Sequence, residues 1–122
     1  MTTALAAEPN PIAIELSQEI ESAFRAITQN KASLLSAIQT FDSLELANEC
    51  GARTTAQFLI RRLGVSSSTA HEYVSVAHRL APFTYLQEHF STGAINYSVV
   101  RLLLKYLTPE NERELVELAL RL

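Results

Sequence analysis

Residues 54–80 contain the feature that most constrains the fold, because two helical segments are separated there by one short turn. Thr54 and Gln57 have the spacing of a capping box at a helix start. Gly64 and Ser66 then supply the stop signal of one helix and the N-cap of the next. Pro82 ends the second segment, since proline lacks the N–H that a helix interior needs. Two helices joined this tightly are typical of a helix-turn-helix.

Composition favours helices along the rest of the chain. Only three glycines and four prolines occur in 122 residues, and 48% hydrophobic residues are enough for a core. Apolar residues at helical spacing, with N-cap residues at Asn10, Asn30 and Asn96, predict about seven helices and no strand. The first two helices are predicted over 11–28 and 31–49, and the last opens at Thr108-Pro109. We therefore expect an all-α, multi-helix bundle that contains the helix-turn-helix.

Residues 11–122 are predicted to form a single helical domain, preceded by a disordered tail over residues 1–10. The N-terminus lacks the features of a signal peptide, and no apolar stretch approaches the roughly 20 residues of a membrane span. A single cysteine, Cys50, predicts neither an internal disulfide nor a Cys-rich zinc site. We expect a cytoplasmic chain with no cofactor, metal or small-molecule substrate. The last helix is still amphipathic at Leu122, which predicts continuation beyond a truncated C-terminus.

The net charge of −3 is unevenly distributed along the chain. Residues 1–49 carry −5 and residues 106–122 carry −2, whereas residues 50–105 hold six basic and two acidic side chains, a net +4. The positive segment contains the helix-turn-helix pattern, where contacts to DNA phosphates would need it.

The helix after Gly64 supplies the candidate DNA contacts. Ala70, Val74 and Ala77 fall on its apolar stripe, and the opposite ridge is polar. The base-facing candidates on that ridge are Ser67, Ser68, His71, Glu72 and Ser75. The phosphate-binding candidates are Arg53, Arg61, Arg62, Arg79, Arg101 and Lys105. Capping serines, a solvated histidine and exposed arginines would give the same pattern without any ligand.

Catalysis has little support in the sequence. His71 and His78 are seven residues apart, whereas metal ligands on one helix converge at a spacing of three or four. Neither these two nor His89 has a recognisable spacing to a Cys or Ser nucleophile. The chain is therefore expected not to be an enzyme.

Four segments resemble the family known as domain of unknown function 222. They are Cys50–Leu59, Leu63-Gly64-Val65-Ser66 with Ala70, Val76–Leu80, and Gly93–Asn96. That family typically stands N-terminal to an HNH endonuclease domain in phage-related repeat proteins. The resemblance implies a nuclease-associated domain, but no HNH module is present here, since the chain has no Cys-x-x-Cys pair and no His-rich segment after Leu107.

A second resemblance, to the helix-turn-helix region of ParB-type partition proteins, overlaps the first. It rests on Leu63–Ala70, Leu80-Ala81-Pro82, Gly93-Ala94-Ile95 and Leu107–Glu110. It implies that the helix after Gly64 enters a DNA major groove. Both families usually carry a histidine after the Gly93 turn, where this chain has Tyr97 and Ser98.

Two functions are compatible with these patterns. The first is non-catalytic binding of double-stranded DNA, as in the targeting domain of an HNH-family protein without its nuclease. The second is a helical protein-interaction or dimerisation module, with a homodimer as one outcome. The acidic amphipathic helices at 11–28 and 31–49 favour the second, because their apolar stripes are wide for one small domain to bury.

Overall fold

The computed structural model describes residues 10–122, so the tail predicted over residues 1–10 lies almost entirely outside the described part of the chain. All regular structure in residues 10–122 is helical, which confirms the all-α class, with six α-helices rather than about seven. The helices are α1 (Pro11–Ser43), α2 (Thr55–Leu63), α3 (Ser67–Leu80), α4 (Thr84–Ser91), α5 (Tyr97–Leu103) and α6 (Glu112–Arg121), with a 3-10 turn at Asn48–Cys50. Within residues 10–122, no helix has both the length and the apolar character needed to cross a membrane.

The first two predicted helices are a single helix, α1, so the prediction of a break at Asn30 was wrong. Asn10 caps α1 as expected, with its Oδ1 accepting from the Ile12 N–H at 2.7 Å. No glycine or proline lies between Ile12 and Leu44 to interrupt the helix. An asparagine in a helix interior costs less than about 1 kcal/mol relative to alanine, too little to end a helix by itself.

The C-terminal end of α1 also differs from the prediction, because the helix ends at Ser43 rather than continuing to residue 49. Glu45 then adopts a positive φ of 54°, which takes the chain out of the helix. Gly51 has a left-handed conformation, with φ 79°, and ends the 3-10 turn rather than α1. A left-handed glycine marks the end of whichever helical turn precedes it, and here that turn is short.

The boundaries of α2 and α3 agree with the predictions. The Thr54 side chain accepts from the Gln57 N–H at 3.1 Å, and Gly64 ends α2 with φ 71°. Ser66 caps α3 by accepting from the Thr69 N–H at 3.1 Å. A connection of only three residues, 64–66, therefore joins the two helices.

The last helix begins later than predicted. Thr108 and Asn111 bond reciprocally: the Thr108 N–H donates to Asn111 Oδ1 at 2.7 Å, and the Asn111 N–H donates to Thr108 Oγ1 at 3.2 Å. This closed turn contains Pro109, so α6 begins only at Glu112. The preceding helix, α5, has the predicted N-cap at Asn96 and ends at Leu103.

The core lies between the C-terminal half of α1 and the other five helices. Its most deeply buried side chains are Phe90, Leu35, Leu86, Val100 and Val116. The N-terminal half of α1 takes no part in this core, because every residue from Pro11 to Ile27 is exposed. We call residues 11–24 the α1 overhang.

Candidate nucleic-acid interface

The C-terminal end of α2 presents two of the predicted phosphate-binding arginines. Arg61 donates from Nη1 to the carbonyl oxygen of Gly51 at 2.9 Å, and the Arg62 guanidinium lies 5.0 Å from the centre of the Phe58 ring. Both arginines are exposed and lie in the last turn of α2. A guanidinium has five N–H donors, so these contacts orient the two groups and leave donors for an anion.

Arg53 directly precedes the N-cap of α2, at the opposite end of that helix from Arg61 and Arg62. Its backbone N–H donates to Gln57 Oε1 at 2.6 Å, and its side chain is exposed. The bond from Arg61 to Gly51 brings the end of α2 back to this loop. We call Arg53, Arg61 and Arg62 the α2 basic group.

The N-terminal half of α3 carries the predicted base-facing residues. Ser67, Ser68, His71 and Ser75 are all exposed. His71 Nδ1 lies 2.8 Å from the carbonyl oxygen of Ser67. A carbonyl can only accept, so Nδ1 carries the proton, and Nε2 of the neutral ring is a hydrogen-bond acceptor. Three hydroxyls and one imidazole acceptor therefore occupy this surface.

Glu72 has a different environment from the other four candidates, because it is half-buried against α5. Its Oε2 accepts from the Tyr97 hydroxyl at 2.8 Å, and its Oε1 lies 3.2 Å from Arg101 Nη2. Burial raises the pKa of Tyr97 above its ordinary value, and the bond to Glu72 raises it further by stabilising the protonated hydroxyl. Both carboxylate oxygens of Glu72 thus have partners within the protein.

Three further cations line a surface depression of about 290 Å³ between α3 and α5. Arg79, Arg101 and Lys105 come from separate turns of the chain, and we call the depression they line the basic cleft. Arg79 Nη2 donates to the carbonyl oxygen of Leu104 at 3.1 Å, which fixes the last turn of α3 against the end of α5. Glu72 also lines the cleft, so the formal charge of the cleft is +2.

Two polar residues of α1, Asp42 and Lys31, make contacts that the sequence did not indicate. Asp42 accepts from Thr55 Oγ1 at 2.6 Å and contacts His78 Nε2 at 2.6 Å, which ties the end of α1 to α2 and α3. These hydrogen bonds, from Thr55 first and then His78, lower the pKa of Asp42. Lys31 Nζ bonds the Tyr73 hydroxyl at 2.7 Å and lies 5.0 Å from the Tyr97 ring centre. Partners 13 to 66 residues apart leave no periodic pattern that could have revealed these contacts.

The six predicted phosphate-binding residues therefore fall into two groups, one at each end of α3. The α2 basic group precedes the turn that leads into α3, and the basic cleft lies beside its second half. Within residues 10–122, no cluster of three His, Cys, Asp or Glu side chains could hold a metal ion.

Comparison with known proteins gives one match. The model of the family described as domain of unknown function (DUF222) matches residues 14–118, which include α2, α3, the basic cleft and most of α1. No curated protein and no solved structure matches the chain. Because the family model covers most of the length of this chain, the chain belongs to the DUF222 family.

Proposed function

We propose that this chain binds double-stranded DNA without catalysis, through a helix-turn-helix formed by residues 54–80 in which α3 enters the major groove. The observation that carries the proposal is the distribution of charge around α3. Cations lie at both ends of the helix, and the exposed residues of α3 between them are neutral and polar, with the partly exposed Asp42 of α1 beside His71 and Ser75. Such a surface attracts phosphates at its edges and leaves its centre for base edges.

The dimensions of α3 fit this role. Ser67 and Arg79 are twelve residues apart, which is roughly 18 Å along a helix. The major groove of B-DNA is about 12 Å wide. Cations before Ser67 and around Arg79 could thus contact the phosphates on opposite sides of one groove.

The base contacts are assigned to Ser67, Ser68, His71 and Ser75, whose side chains are exposed. Hydroxyl groups both donate and accept, and the imidazole acceptor suits the amino groups of adenine and cytosine. The contacts of Glu72 favour a different role, because a base contact would require its bonds to Tyr97 and Arg101 to break. We assign Glu72 as a positioning residue that orients Arg101 and reduces the repulsion between the cleft cations.

Two parts of the wider context rest on resemblance, namely targeting of an HNH-family nuclease and a ParB-like mode of groove entry. Action in the cytoplasm is a further part of the proposal. None of these roles requires a reaction at the residues assigned here, and the proposal gives them no catalytic function.

Binding of random-sequence duplex DNA, measured by fluorescence anisotropy at increasing salt, tests the proposal. Phosphate contacts release counterions, so the affinity should fall steeply as the salt concentration rises. Replacing both Arg61 and Arg62 with alanine should reduce the slope of log affinity against log salt by about 2. Arg121→Ala, in α6, is the matched control and should leave the slope unchanged. No binding at low salt, or equal effects of the control and the double variant, would overturn the proposal.

A further inference from the structure

The α1 overhang carries an apolar stripe that the described residues, 10–122, leave uncovered. Ile12, Leu16, Ile20 and Phe24 recur every four residues and so lie along one side of the helix. Ile20 is 68% exposed and Phe24 is 52% exposed. A run of large apolar side chains on a helix of this length marks an interaction surface.

A second uncovered apolar surface lies between α5 and α6. This α5–α6 groove has a volume of about 520 Å³, and its lining includes Val99, Leu102, Leu103, Leu115, Leu118 and Leu122. Leu102, Leu118 and Leu122 are among the exposed large hydrophobic residues of the chain. The groove therefore offers a concave apolar site of the kind into which an amphipathic helix docks.

We propose that the α1 overhang of one copy of this chain lies in the α5–α6 groove of a second copy, and that the second copy docks reciprocally into the first. The arrangement is a two-fold dimer. It does not depend on DNA binding.

Charge complementarity supports this occupant. The overhang contains Glu15, Glu19 and Glu21 and no lysine or arginine. Leu102 lines both the α5–α6 groove and the basic cleft, so the groove has a cationic border on its α5 side, whereas α6 on the other side carries three glutamates and two arginines. An acidic amphipathic helix that enters the groove would place its apolar stripe on the leucines and carboxylates near the cleft cations.

The position of the overhang also permits reciprocal exchange. α1 is held to the turn after α4, where Arg25 Nη1 and Gln29 Nε2 donate to the carbonyl oxygen of Thr92 at 3.3 and 3.1 Å. The groove lining begins two residues later, at Ala94. The overhang and the groove therefore lie next to each other on each copy. Together they form one patch that can meet its own copy across a two-fold axis, which is the geometry of an isologous interface.

The size of the two surfaces is sufficient for a dimer. The 14-residue overhang extends roughly 21 Å, longer than the roughly 15 Å of the ten-residue α6 that forms one wall of the groove. The eleven residues of the groove lining and about half of the fourteen overhang residues give about eighteen on each copy, just under the roughly 20–30 of a standard interface.

Sedimentation equilibrium of the full chain without DNA tests the proposal. The wild type should dimerise, and Ile20→Glu should weaken dimerisation at least about tenfold, because a charge would enter the apolar contact. Gln18→Glu adds the same charge on the opposite side of the overhang and should leave the dimer intact. Leu118→Glu, in the groove, should weaken the dimer as strongly as Ile20→Glu.

Mixing the two weakened variants gives the decisive result. One copy then has an intact groove and the other an intact overhang, so one of the two docking sites is restored and a heterodimer should form. A monomeric wild type would overturn the proposal, as would equal loss in Gln18→Glu. An unchanged dimer in Leu118→Glu would also overturn it, because the overhangs would then pair with each other. Circular dichroism should show the same helical content in all variants.

Discussion

Replacing Gly93 with alanine tests how α1 is held against the turn between α4 and α5. Gly93 has a left-handed φ of 85°, and a Cβ built on it would lie 2.5 Å from Arg25 Cγ and 3.1 Å from the Arg25 carbonyl oxygen. Gly64 is the matched control, because its φ of 71° is similar but a Cβ there would meet nothing within 4 Å. The two substitutions differ mainly in the contact with α1.

Gly93→Ala and Gly64→Ala are expected to lower the free energy of unfolding by different amounts. The left-handed conformation costs an alanine roughly 1–2 kcal/mol, which applies at both positions. Overpacking adds about 1–3 kcal/mol at Gly93, because the backbone oxygen of a helix cannot move aside freely. Gly93→Ala should therefore lower the free energy of unfolding by about 2–5 kcal/mol, against about 1–2 kcal/mol for Gly64→Ala. At about 4 °C per kcal/mol for a domain of this size, the melting temperatures should differ by several degrees.

Thermal and urea unfolding followed by circular dichroism would measure these differences. Combining Arg25→Ala with Gly93→Ala removes the 2.5 Å contact but keeps the one to the carbonyl oxygen, so part of the loss should be recovered. Equal destabilisation by Gly93→Ala and Gly64→Ala would refute the close packing of α1 on this turn.

Two further predictions concern the polar contacts around α3. Asp42→Asn should lower the free energy of unfolding at neutral pH by about 1 kcal/mol, because the uncharged amide has one acceptor oxygen where the carboxylate uses two, for Thr55 and for His78. The lowered pKa of Asp42 means that this stabilisation is present above the unfolded value, near 3.8, and is lost as the pH falls through the folded value. In urea unfolding between about pH 5 and pH 2, the wild type should therefore converge on the variant, and a constant difference would contradict this linkage. Glu72→Gln should tighten random-sequence DNA binding a few-fold in fluorescence anisotropy, since it removes a negative charge beside three cations. Weaker binding would contradict this prediction and would mean that losing the contact with Arg101 outweighs the removal of the charge.

Local signals in the sequence predicted the helix starts best where the capping residue follows a glycine that ends the preceding turn or helix. Thr54, Ser66 and Asn96 each cap a helix as expected, because a capping side chain bonds an N–H only two or three residues away. Asn30 has the same chemistry but lies within a continuous helix, since no stop signal precedes it. A potential cap therefore predicts a helix start only when the preceding residues also end a helix.

The candidate site was predictable as a set of residues but not as an arrangement. Charge along the chain indicated the basic segment, and helical spacing placed Ser67, Ser68, His71 and Ser75 on an exposed surface. The pairing of Glu72 with Tyr97 and Arg101 joins residues 25 and 29 positions apart. Such contacts depend on how α3 packs against α5, which no local pattern specifies.

The most direct test of the central claim is an NMR titration of the isotopically labelled chain with a short DNA duplex. If α3 docks in the major groove, the largest amide shifts should fall within residues 61–79 and around Arg101 and Lys105. The α1 overhang and α6 should shift little. Shifts concentrated in residues 11–27 or 112–121, or no shifts at low salt, would contradict the assignment of α3 as the DNA-binding helix.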